Sequence, residues 1–417
     1  MRRTLVIFSQ VYVPDPAAMS EHLAHVATEM VRRGWRVIVF TSARGYADAS
    51  LKFPSRETID GVEVRRLPLS SFGKRSMLLR AAAGMSFMLQ CALRGVFVRN
   101  LGALLVTTAP LAAYAALVVS VVRRVPLKSW VLDINPDQLI ALGWMRADGI
   151  PARVLEWLNG LVLRRAADVI VLDHFMAERL SAKVEGPLAV HIVPPWPLEE
   201  QLEPVDQATN PFRAEHGLED RFVFLYSGNH GLTTPVSTLV DAAIELQDRD
   251  RPFFLFIGGG FGKADVEKAV ATHGGRNIRS LPHQPLERIK YSLTAADVHV
   301  VTMADEVVGI IHPSKIYVAM AVGRPVLAIA PRPSPLAELI DRHRIGWWVP
   351  HGDVDATVAA IEEILATDPA ELAEMGRRAR RTVTEHFARD VMPARVADVV
   401  AHSRVAPALS PRNAESD

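Results

Sequence analysis

Short apolar segments that alternate with helical segments constrain the fold of this chain more than any other feature. Residues 5–8 and 37–40 are continuous apolar runs of strand length. Between them, residues 20–33 repeat apolar side chains at the helical period and are followed by Gly34. Fully apolar strands joined by helices are typical of parallel sheets covered on both faces. The pattern therefore predicts an α/β fold with a doubly wound sheet.

The alternation occurs twice, and a proline-rich segment separates the two series. Pro194-Pro-Trp-Pro197 cannot continue a sheet, and a second run of strands starts at residues 222–226. We predict an N-terminal domain over residues 1–197 and a C-terminal domain over residues 198–385. A last helix over 386–405 should pack back on the first domain, and residues 406–417 should be a disordered tail. Two such domains would face a binding cleft at the carboxyl ends of their strands.

Three further features bear on the cellular location. The apolar run at residues 5–8 is too short for a signal peptide, and the single cysteine, Cys91, excludes an intramolecular disulfide. Both indicate a cytoplasmic protein. Residues 101–122 contain no charge and could span a membrane, but Pro110 interrupts them. A strand, a turn and a buried helix are the preferred interpretation.

The formal net charge of +1 conceals an uneven distribution. Residues 64–132 contain no Asp or Glu, yet they hold ten basic residues: Arg65, Arg66, Lys74, Arg75, Arg80, Arg94, Arg99, Arg123, Arg124 and Lys128. One interpretation is a buried helix with solvated ends. The other is a docking surface for an anionic membrane and a lipid-linked acceptor on the inner face of the cell membrane. Aromatic residues interleaved with these bases, which could stack on nucleobases, are lacking, so no nucleic acid partner is expected.

Three turns between a strand and a helix are candidate anion-binding sites, because backbone N–H groups are free at a helix start. Ala17, Ala18 and Ser20 follow the first strand, although Ser20 could equally be a simple N-cap. The turns after two strands of the second series contain Gly228 with Asn229, and Gly258-Gly-Gly260. Glycines let the backbone approach a diphosphate closely, but ordinary tight turns remain the alternative.

The third candidate turn is His312-Pro-Ser-Lys315 at a predicted helix start. Proline suits the first helical turn and Ser314 can serve as the cap. Lys315 adds a positive charge where the helix dipole disfavours one, which favours an anionic ligand over a merely solvated lysine. No cluster of cysteine and histidine indicates a zinc site, and no metal is expected.

These residues together resemble the GT-B glycosyltransferases of family 4. Pro313-Ser-Lys-Ile-Tyr317 and Met320-Ala-Val-Gly-Arg-Pro-Val326 match a block of the subgroup of colanic-acid and O-antigen transferases. Asp133-Ile-Asn-Pro-Asp137, followed by Ala141-Leu-Gly143, is similar to a second block of that subgroup. The resemblance covers nearly the whole chain and implies two Rossmann-like domains, the first binding the acceptor and the second a nucleotide-sugar.

The resemblance also implies a retaining, metal-independent hexosyltransferase that needs no cofactor. Its donor would be a nucleotide-sugar, often UDP-linked, and its acceptor a lipid-linked or saccharide molecule of bacterial surface polysaccharide. Gly228, Asn229 and Gly258–Gly260 would line the donor diphosphate, together with His312, Pro313 and Ser314. Lys315 would stabilise the departing diphosphate, and Asp133 would lie near the reacting sugar. The alternative for Asp133 is a cap or salt bridge at a strand end.

Several residues depart from the family pattern. Ile310 and Val318 occupy the places of a Glu-x7-Glu pair, so Glu306 or His312 would have to supply a sugar contact. Leu232-Thr-Thr-Pro235 replaces an Arg…Lys pair, and Ala17-Ala18 replaces a Gly-Gly turn. Phosphate neutralisation then depends mainly on Lys315. The lost acidic pair keeps two alternatives open, a sugar- or nucleotide-binding protein without turnover and a nucleotide-sugar epimerase.

Overall fold

A computed structural model describes residues 2–45, 48, 50–70, 77–107, 111–198 and 202–402. The predicted tail over 406–417 lies outside these residues. The chain divides into two compact units, one reaching Pro194 and including the chain from Asp390 onward, the other spanning Pro195–Arg389. The last helix therefore belongs to the first unit.

The first unit contains an eight-stranded sheet in the order β3-β4-β2-β1-β5-β6-β7-β8. All neighbouring strands are parallel except the pair β3 and β4. The strands are β1 (Thr4–Phe8), β2 (Arg36–Ser42), β3 (Arg56–Ile59), β4 (Val62–Leu67), β5 (Leu101–Thr107), β6 (Leu127–Trp130), β7 (Ala166–Val171) and β8 (Val190–Ile192).

Helices cover this sheet. They are α1 (Ala18–Arg32), α2 (Met77–Val96), α3 (Ala112–Arg123), α4 (Asp137–Ala141), α5 (Ile150–Arg165), α6 (His174–Ser181) and, from the chain end, α15 (Met392–Ala401). A core of aliphatic and aromatic residues, with Phe8, Phe40 and Leu104 at its centre, lies between the sheet and α2 and α3. The helix α15 contacts α1 and β7. No described helix is long and apolar enough to cross a membrane. The described parts of residues 101–122 form β5 and α3, which are the predicted strand and helix, although Val118, Val121 and Val122 of α3 are exposed.

The second unit contains a six-stranded, fully parallel sheet in the order β11-β10-β9-β12-β13-β14. Its strands are β9 (Phe222–Asn229), β10 (Pro252–Gly259), β11 (Ile278–Leu281), β12 (Val298–Thr302), β13 (Val326–Ile329) and β14 (Gly346–Val349). Its helices are α7 (Pro211–Glu215), α8 (Ser237–Glu245), α9 (Lys263–His273), α10 (Leu286–Thr294), α11 (Lys315–Ala321), α12 (Pro335–His343), α13 (Val354–Ala366) and α14 (Pro369–His386). Apolar clusters pack on both faces of the sheet, which confirms the predicted doubly wound α/β class.

The sequence pattern misses β3, β11 and β14, and all three lie at sheet edges. An edge strand is only partly buried, so it lacks the continuous apolar run that reveals a central strand. The strand β4 alternates apolar and polar residues as an edge strand would, but it lies inside the sheet because β3 pairs with its outer side. The strand β6 starts at Leu127 and includes Lys128, whose side chain is fully buried.

Candidate functional site

The strand order of the second sheet reverses between β9 and β12, which lie next to each other. Ligands of open α/β sheets bind in the crevice at such a reversal, outside the carboxyl ends of the strands. The carboxyl ends of β9 and β10 carry Gly228 with Asn229 and Gly258 with Gly259. Lys315 begins α11 in the same unit. The tertiary structure thus brings together residues that the sequence separates by almost ninety positions.

The two glycine-rich turns pack directly against each other. The His230 backbone N–H donates to the Gly259 carbonyl at 2.7 Å, and the Gly262 N–H donates to the His230 carbonyl at 3.0 Å. A Cβ on Gly258 would lie 1.9 Å from the Gly228 carbonyl oxygen, and one on Gly260 would lie 2.4 Å from Asn229 Oδ1. Both glycines also have positive φ. Only glycine fits at these two positions, so the turns form one rigid backbone surface.

Lys315 lies against this surface. Its ammonium donates to the Asn229 carbonyl at 2.7 Å and to the Tyr226 hydroxyl, and it lies 4.2 Å from the centre of the Tyr226 ring. Burial lowers the pKa of Lys315 to about 7. A Cβ on Gly228 would approach Lys315 Cε to 2.7 Å. Lys315 is therefore a partly desolvated cation whose position depends on Gly228 having no side chain.

The other residues of this motif have different surroundings. Ser314 is the N-cap of α11, but its side chain makes no cap hydrogen bond, which contradicts the predicted capping. Its φ of −69° and ψ of −17° are helical, whereas a capping side chain needs an extended backbone. Pro313 is buried and precedes the cap, so it is not in the first turn as expected. His312 Nε2 lies 2.9 Å from the Tyr317 hydroxyl, and Glu306 lies exposed in a short 3-10 helix after β12.

Three residues beside Lys315 escaped the sequence analysis. Tyr226 is fully buried, donates its hydroxyl to the Asn229 carbonyl at 2.9 Å, and has its pKa raised to about 12 by burial. Thr234 Oγ1 lies 3.4 Å from the Lys315 ammonium. His230 is buried between the turns, and desolvation lowers its pKa. Tyrosine at the end of a buried strand was the one available signal, because a buried hydroxyl needs a polar partner.

The first unit has a pocket of its own at the carboxyl ends of β5 and β6. It encloses about 590 Å³ of space, part of it open to solvent, and is lined by Thr107, Ala113, Ser129, Trp130, Val131, Asp133, Ile134, Asn135, Asn159, Val162, Leu163, Leu180 and Lys183. Burial raises the pKa of Asp133 to about 6. The Asp133 carboxylate makes no hydrogen bond or ion pair with any residue the structure describes. The alternative of a cap or salt bridge at Asp133 therefore finds no support.

Two polar side chains of the pocket, Asn159 and Lys183, are already paired. Asn159 donates to the Asn135 carbonyl at 2.5 Å and accepts from the Tyr114 hydroxyl at 3.0 Å. Lys183 pairs with Asp137 at 2.8 Å and with Glu156 at 2.7 Å. Asp133 is thus the pocket carboxylate that remains available to a ligand.

The turn after β1 differs from its prediction in one respect. Ala17, in extended conformation, is the N-cap of α1, and the helix starts at Ala18. The interpretation of Ser20 as the N-cap was therefore wrong, because Ser20 lies inside the first turn. It is fully buried, and its hydroxyl has no hydrogen-bond partner among the residues described. The described residues also contain no group of three or more His, Cys, Asp or Glu side chains that could hold a metal ion.

Comparison with known proteins identifies the family. The family model described as glycosyl transferase 4-like domain matches residues 18–196, and the model described as glycosyl transferases group 1 matches residues 209–382. A probable glycosyltransferase of Pseudomonas aeruginosa, WbjE, is 27% identical over 66% of this chain and 70% of its own length. A putative colanic acid biosynthesis glycosyl transferase of Escherichia coli strain K12, WcaI, is 28% identical over 56% of this chain. The match spans 59% of WcaI.

Solved structures share the fold. Sucrose-phosphate synthase from Thermosynechococcus elongatus has a TM-score of 0.74 at 19% identity, covering 95% of this chain and 98% of that one. HepE of Anabaena, in complex with UDP and glucose, has a TM-score of 0.69 at 16% identity, covering 95% and 99%. WaaG, a glycosyltransferase involved in lipopolysaccharide biosynthesis, has a TM-score of 0.69 at 14% identity with the same coverage. Two family models in chain order, together spanning most of the sequence, place this chain among the GT-B glycosyltransferases of family 4 type.

Proposed function

We propose that this enzyme transfers a sugar from a nucleotide-sugar, UDP-linked by preference, to a lipid-linked or saccharide acceptor in the synthesis of a bacterial surface polysaccharide. The names of WbjE, WcaI and WaaG support a polysaccharide product, and the HepE complexes support a UDP-sugar donor. One observation carries the proposal for this chain. It is the Lys315 ammonium, held against a surface of glycine backbone at the strand reversal of the second sheet.

The donor diphosphate would bind at that surface. Gly228, Asn229 and the turn at Gly258–Gly260 let phosphate oxygens approach the backbone closely, because no Cβ intervenes. Lys315 would supply the positive charge that stabilises the departing nucleoside diphosphate. Bound phosphate would hold the lysine protonated, since an opposite charge raises its pKa. His312, Pro313, Ser314 and the exposed Glu306 are assigned to the donor sugar.

The acceptor would bind in the first unit, where Asp133 can accept a hydrogen bond from an acceptor hydroxyl in the pocket. The turn at Ala17 and Ala18 would contact an acceptor phosphate through backbone groups, whereas the Ser20 side chain is fully buried. Transfer with retention would proceed on one face of the sugar. The bond from the anomeric carbon to the donor phosphate breaks, the acceptor oxygen bonds to that carbon, and the leaving phosphate takes the hydroxyl proton. The protein then acts by positioning and by charge stabilisation, without metal or cofactor.

A donor screen tests the proposal. The purified enzyme is incubated with a panel of UDP-, GDP- and TDP-sugars and a polyprenyl-diphosphate sugar acceptor, and nucleoside diphosphate release is measured with and without EDTA. We expect acceptor-dependent release with one UDP-sugar that EDTA leaves unchanged. Binding of UDP without release from any donor would favour a binding protein without turnover. Conversion of the donor sugar without acceptor would favour an epimerase.

A retention assay addresses the stereochemistry separately. The anomeric configuration of the product is determined by NMR and compared with that of the donor. Equal configurations are expected for a retaining enzyme, and opposite ones would contradict the proposed mechanism. In the donor screen, the Lys315→Ala variant serves as the control for nucleoside diphosphate release that does not depend on the site.

A further inference from the structure

The exposed apolar side chains of the described residues are concentrated on one layer of helices. Of nineteen large apolar residues with exposed side chains, eleven lie on α2, α3 and α5 or directly after α2. They are Leu79, Met85, Leu89, Leu93, Phe97, Val118, Val121, Val122, Ile150, Val154 and Trp157. The helix α3 contacts both α2 and α5. Single exposed apolar residues are ordinary, but a concentration of this kind marks an interaction surface.

The helix α2 is apolar on both of its sides. Its inner side contributes the buried residues Phe87 and Cys91 to the core. On its outer side, Met85, Leu89 and Leu93 recur every four residues and continue into Phe97, which is 81% exposed. At about 1.5 Å per residue, this stripe runs for roughly 18 Å. A surface helix in water normally presents a polar outer side, so α2 is built to contact an apolar phase.

Seven of the ten basic residues of the segment have described side chains, and these seven separate into two groups. Lys74 and Arg75 lie outside the described residues. Arg65 pairs with Glu63 at 3.0 Å, Arg66 pairs with Glu57, and Lys128 is buried with Asp168. Paired or buried charges of this kind contribute little to an external field. The positive charge that the segment presents at its surface is therefore smaller than the ten basic residues of the sequence suggest.

The second group, Arg94, Arg99, Arg123 and Arg124, has no ion-pair partner among the described residues. Arg123 donates to the carbonyls of Val96 and Val98, the latter at 2.8 Å. These bonds hold the carboxyl end of α3 beside the carboxyl end of α2. The unpaired arginines therefore lie at the carboxyl ends of these two helices or just after them, on the part of the stripe where Leu93 and Phe97 are most exposed.

We propose that this surface, here called the α2–α3 surface, docks on a lipid bilayer that carries anionic headgroups. It comprises Met85, Leu89, Leu93, Phe97, Val118, Val121 and Val122, bordered by Arg94, Arg99 and Arg124. The apolar side chains enter the interface between headgroups and acyl chains, while the arginines contact lipid phosphates. The surface offers no acidic group to the arginines of a second copy. Phe97 is the one aromatic residue among these side chains, and a single ring does not form the stacking surface that single-stranded nucleic acid needs.

The proposal goes beyond the proposed function, because it concerns helices remote in sequence from the donor turns and requires no particular donor. It assigns a partner and a set of contact residues to the segment whose charge asymmetry is visible in the sequence.

Vesicle sedimentation of the full-length protein tests it. Vesicles of phosphatidylcholine alone are compared with vesicles in which about 30 mol% of the lipid is anionic phosphatidylglycerol. We expect binding to the anionic vesicles to be at least about tenfold stronger, and to weaken as salt is raised, because ionic screening shortens the reach of the arginines. Equal binding to both vesicle types, or no binding to either, would overturn the proposal.

Matched variants locate the contact. Leu93→Glu combined with Phe97→Glu should reduce binding to anionic vesicles by about tenfold or more, whereas Leu286→Glu, at an exposed position of the second unit, should not. Arg94→Gln combined with Arg99→Gln should reduce binding about fivefold or more, with Arg249→Gln as the neutral comparison. These surface changes should leave the melting temperature and UDP binding unchanged, which separates a failure of docking from a failure of the donor site.

A second copy of the chain is the competing occupant. Sedimentation equilibrium of the wild type and of the Leu93→Glu, Phe97→Glu variant distinguishes the two. A monomer in both cases supports the membrane assignment. A wild-type dimer that the variant abolishes, without lipid binding, would replace the bilayer by a self-association surface.

Discussion

The second unit exposes three large apolar side chains among its described residues, whereas the first unit exposes sixteen. The second unit concentrates its unusual features at strand ends, where positive-φ glycines and a desolvated lysine meet. The first unit places an unpaired carboxylate in a mainly apolar pocket and covers a helix layer with apolar residues. Two related α/β architectures thus provide different surfaces, one suited to a charged ligand and the other to an amphipathic one.

Of the variants that test this difference between the units, Lys315→Ala should have the largest effect on turnover. Removing the cation leaves the developing charge of the diphosphate to backbone groups alone, so kcat should fall by about 100- to 1,000-fold. UDP affinity should fall as well, measured by calorimetry. Lys315→Arg is the informative companion, since it keeps the charge but cannot occupy the same space beside Gly228. Unchanged turnover in the alanine variant would show that the second unit does not use its buried cation.

Asp133→Asn tests the pocket of the first unit and should lower turnover by about 10- to 100-fold without weakening UDP binding. The same substitution should raise the free energy of unfolding even though it lowers turnover. The folded-state pKa of Asp133 is about 6, above the usual 3.8, so the free-energy cost of ionisation to the folded state builds up as the pH rises from about 3.8 to about 6 and is constant above that. The variant should therefore be more stable than the wild type at pH 8, by about 1–2 kcal/mol. The advantage should shrink as the pH falls below 6. Chemical denaturation at pH 8 and pH 5 measures both values, and a destabilised variant would argue for a structural carboxylate.

Gly228→Ala should reduce kcat about tenfold, because the new Cβ would lie 2.7 Å from Lys315 Cε and displace the ammonium. Gly274→Ala provides the control. Gly274 also has positive φ, at 74°, but no atom lies within 4 Å of its added Cβ. Both variants should lose stability through backbone strain, yet only Gly228→Ala should lose activity. Equal losses of activity would mean that strain, and not the lysine, sets the rate.

Tyr226→Phe should produce the smallest change, a loss of UDP affinity of a few fold at pH 7.5. Wild-type affinity should be highest below pH 7, where Lys315 is charged, and should decline as the pH rises through its pKa of about 7. Loss of the hydroxyl that accepts from the ammonium lowers that pKa further, so the decline should begin at lower pH. Calorimetric UDP titrations from pH 6 to 9 measure the profile. An unshifted profile would remove Tyr226 from the donor site.

Much of the fold could be predicted because central strands carry their own signal. The runs at residues 222–226 and 253–257 are apolar throughout, and both become central strands of the second sheet. Edge strands such as β3 and β14 are partly exposed to solvent, so they lack a continuous run of buried apolar residues. Lys128 shows the same limit. The sequence counts it among the bases of a possible surface, but the structure buries it in a central strand. Its charge is tolerated there because it pairs with Asp168, forty residues later.

The candidate site divides in a similar way. The sequence by itself determined the family, the two α/β series and the glycine-rich turns, because these depend on local pattern and on residues that permit special backbone conformations. It did not determine that Tyr226 and Thr234 surround Lys315, that Asp133 has no partner among the described residues, or that Arg94, Arg99 and Arg124 border an apolar stripe. Those facts depend on which distant segments meet, and burial, pairing and pKa shifts follow only from that packing.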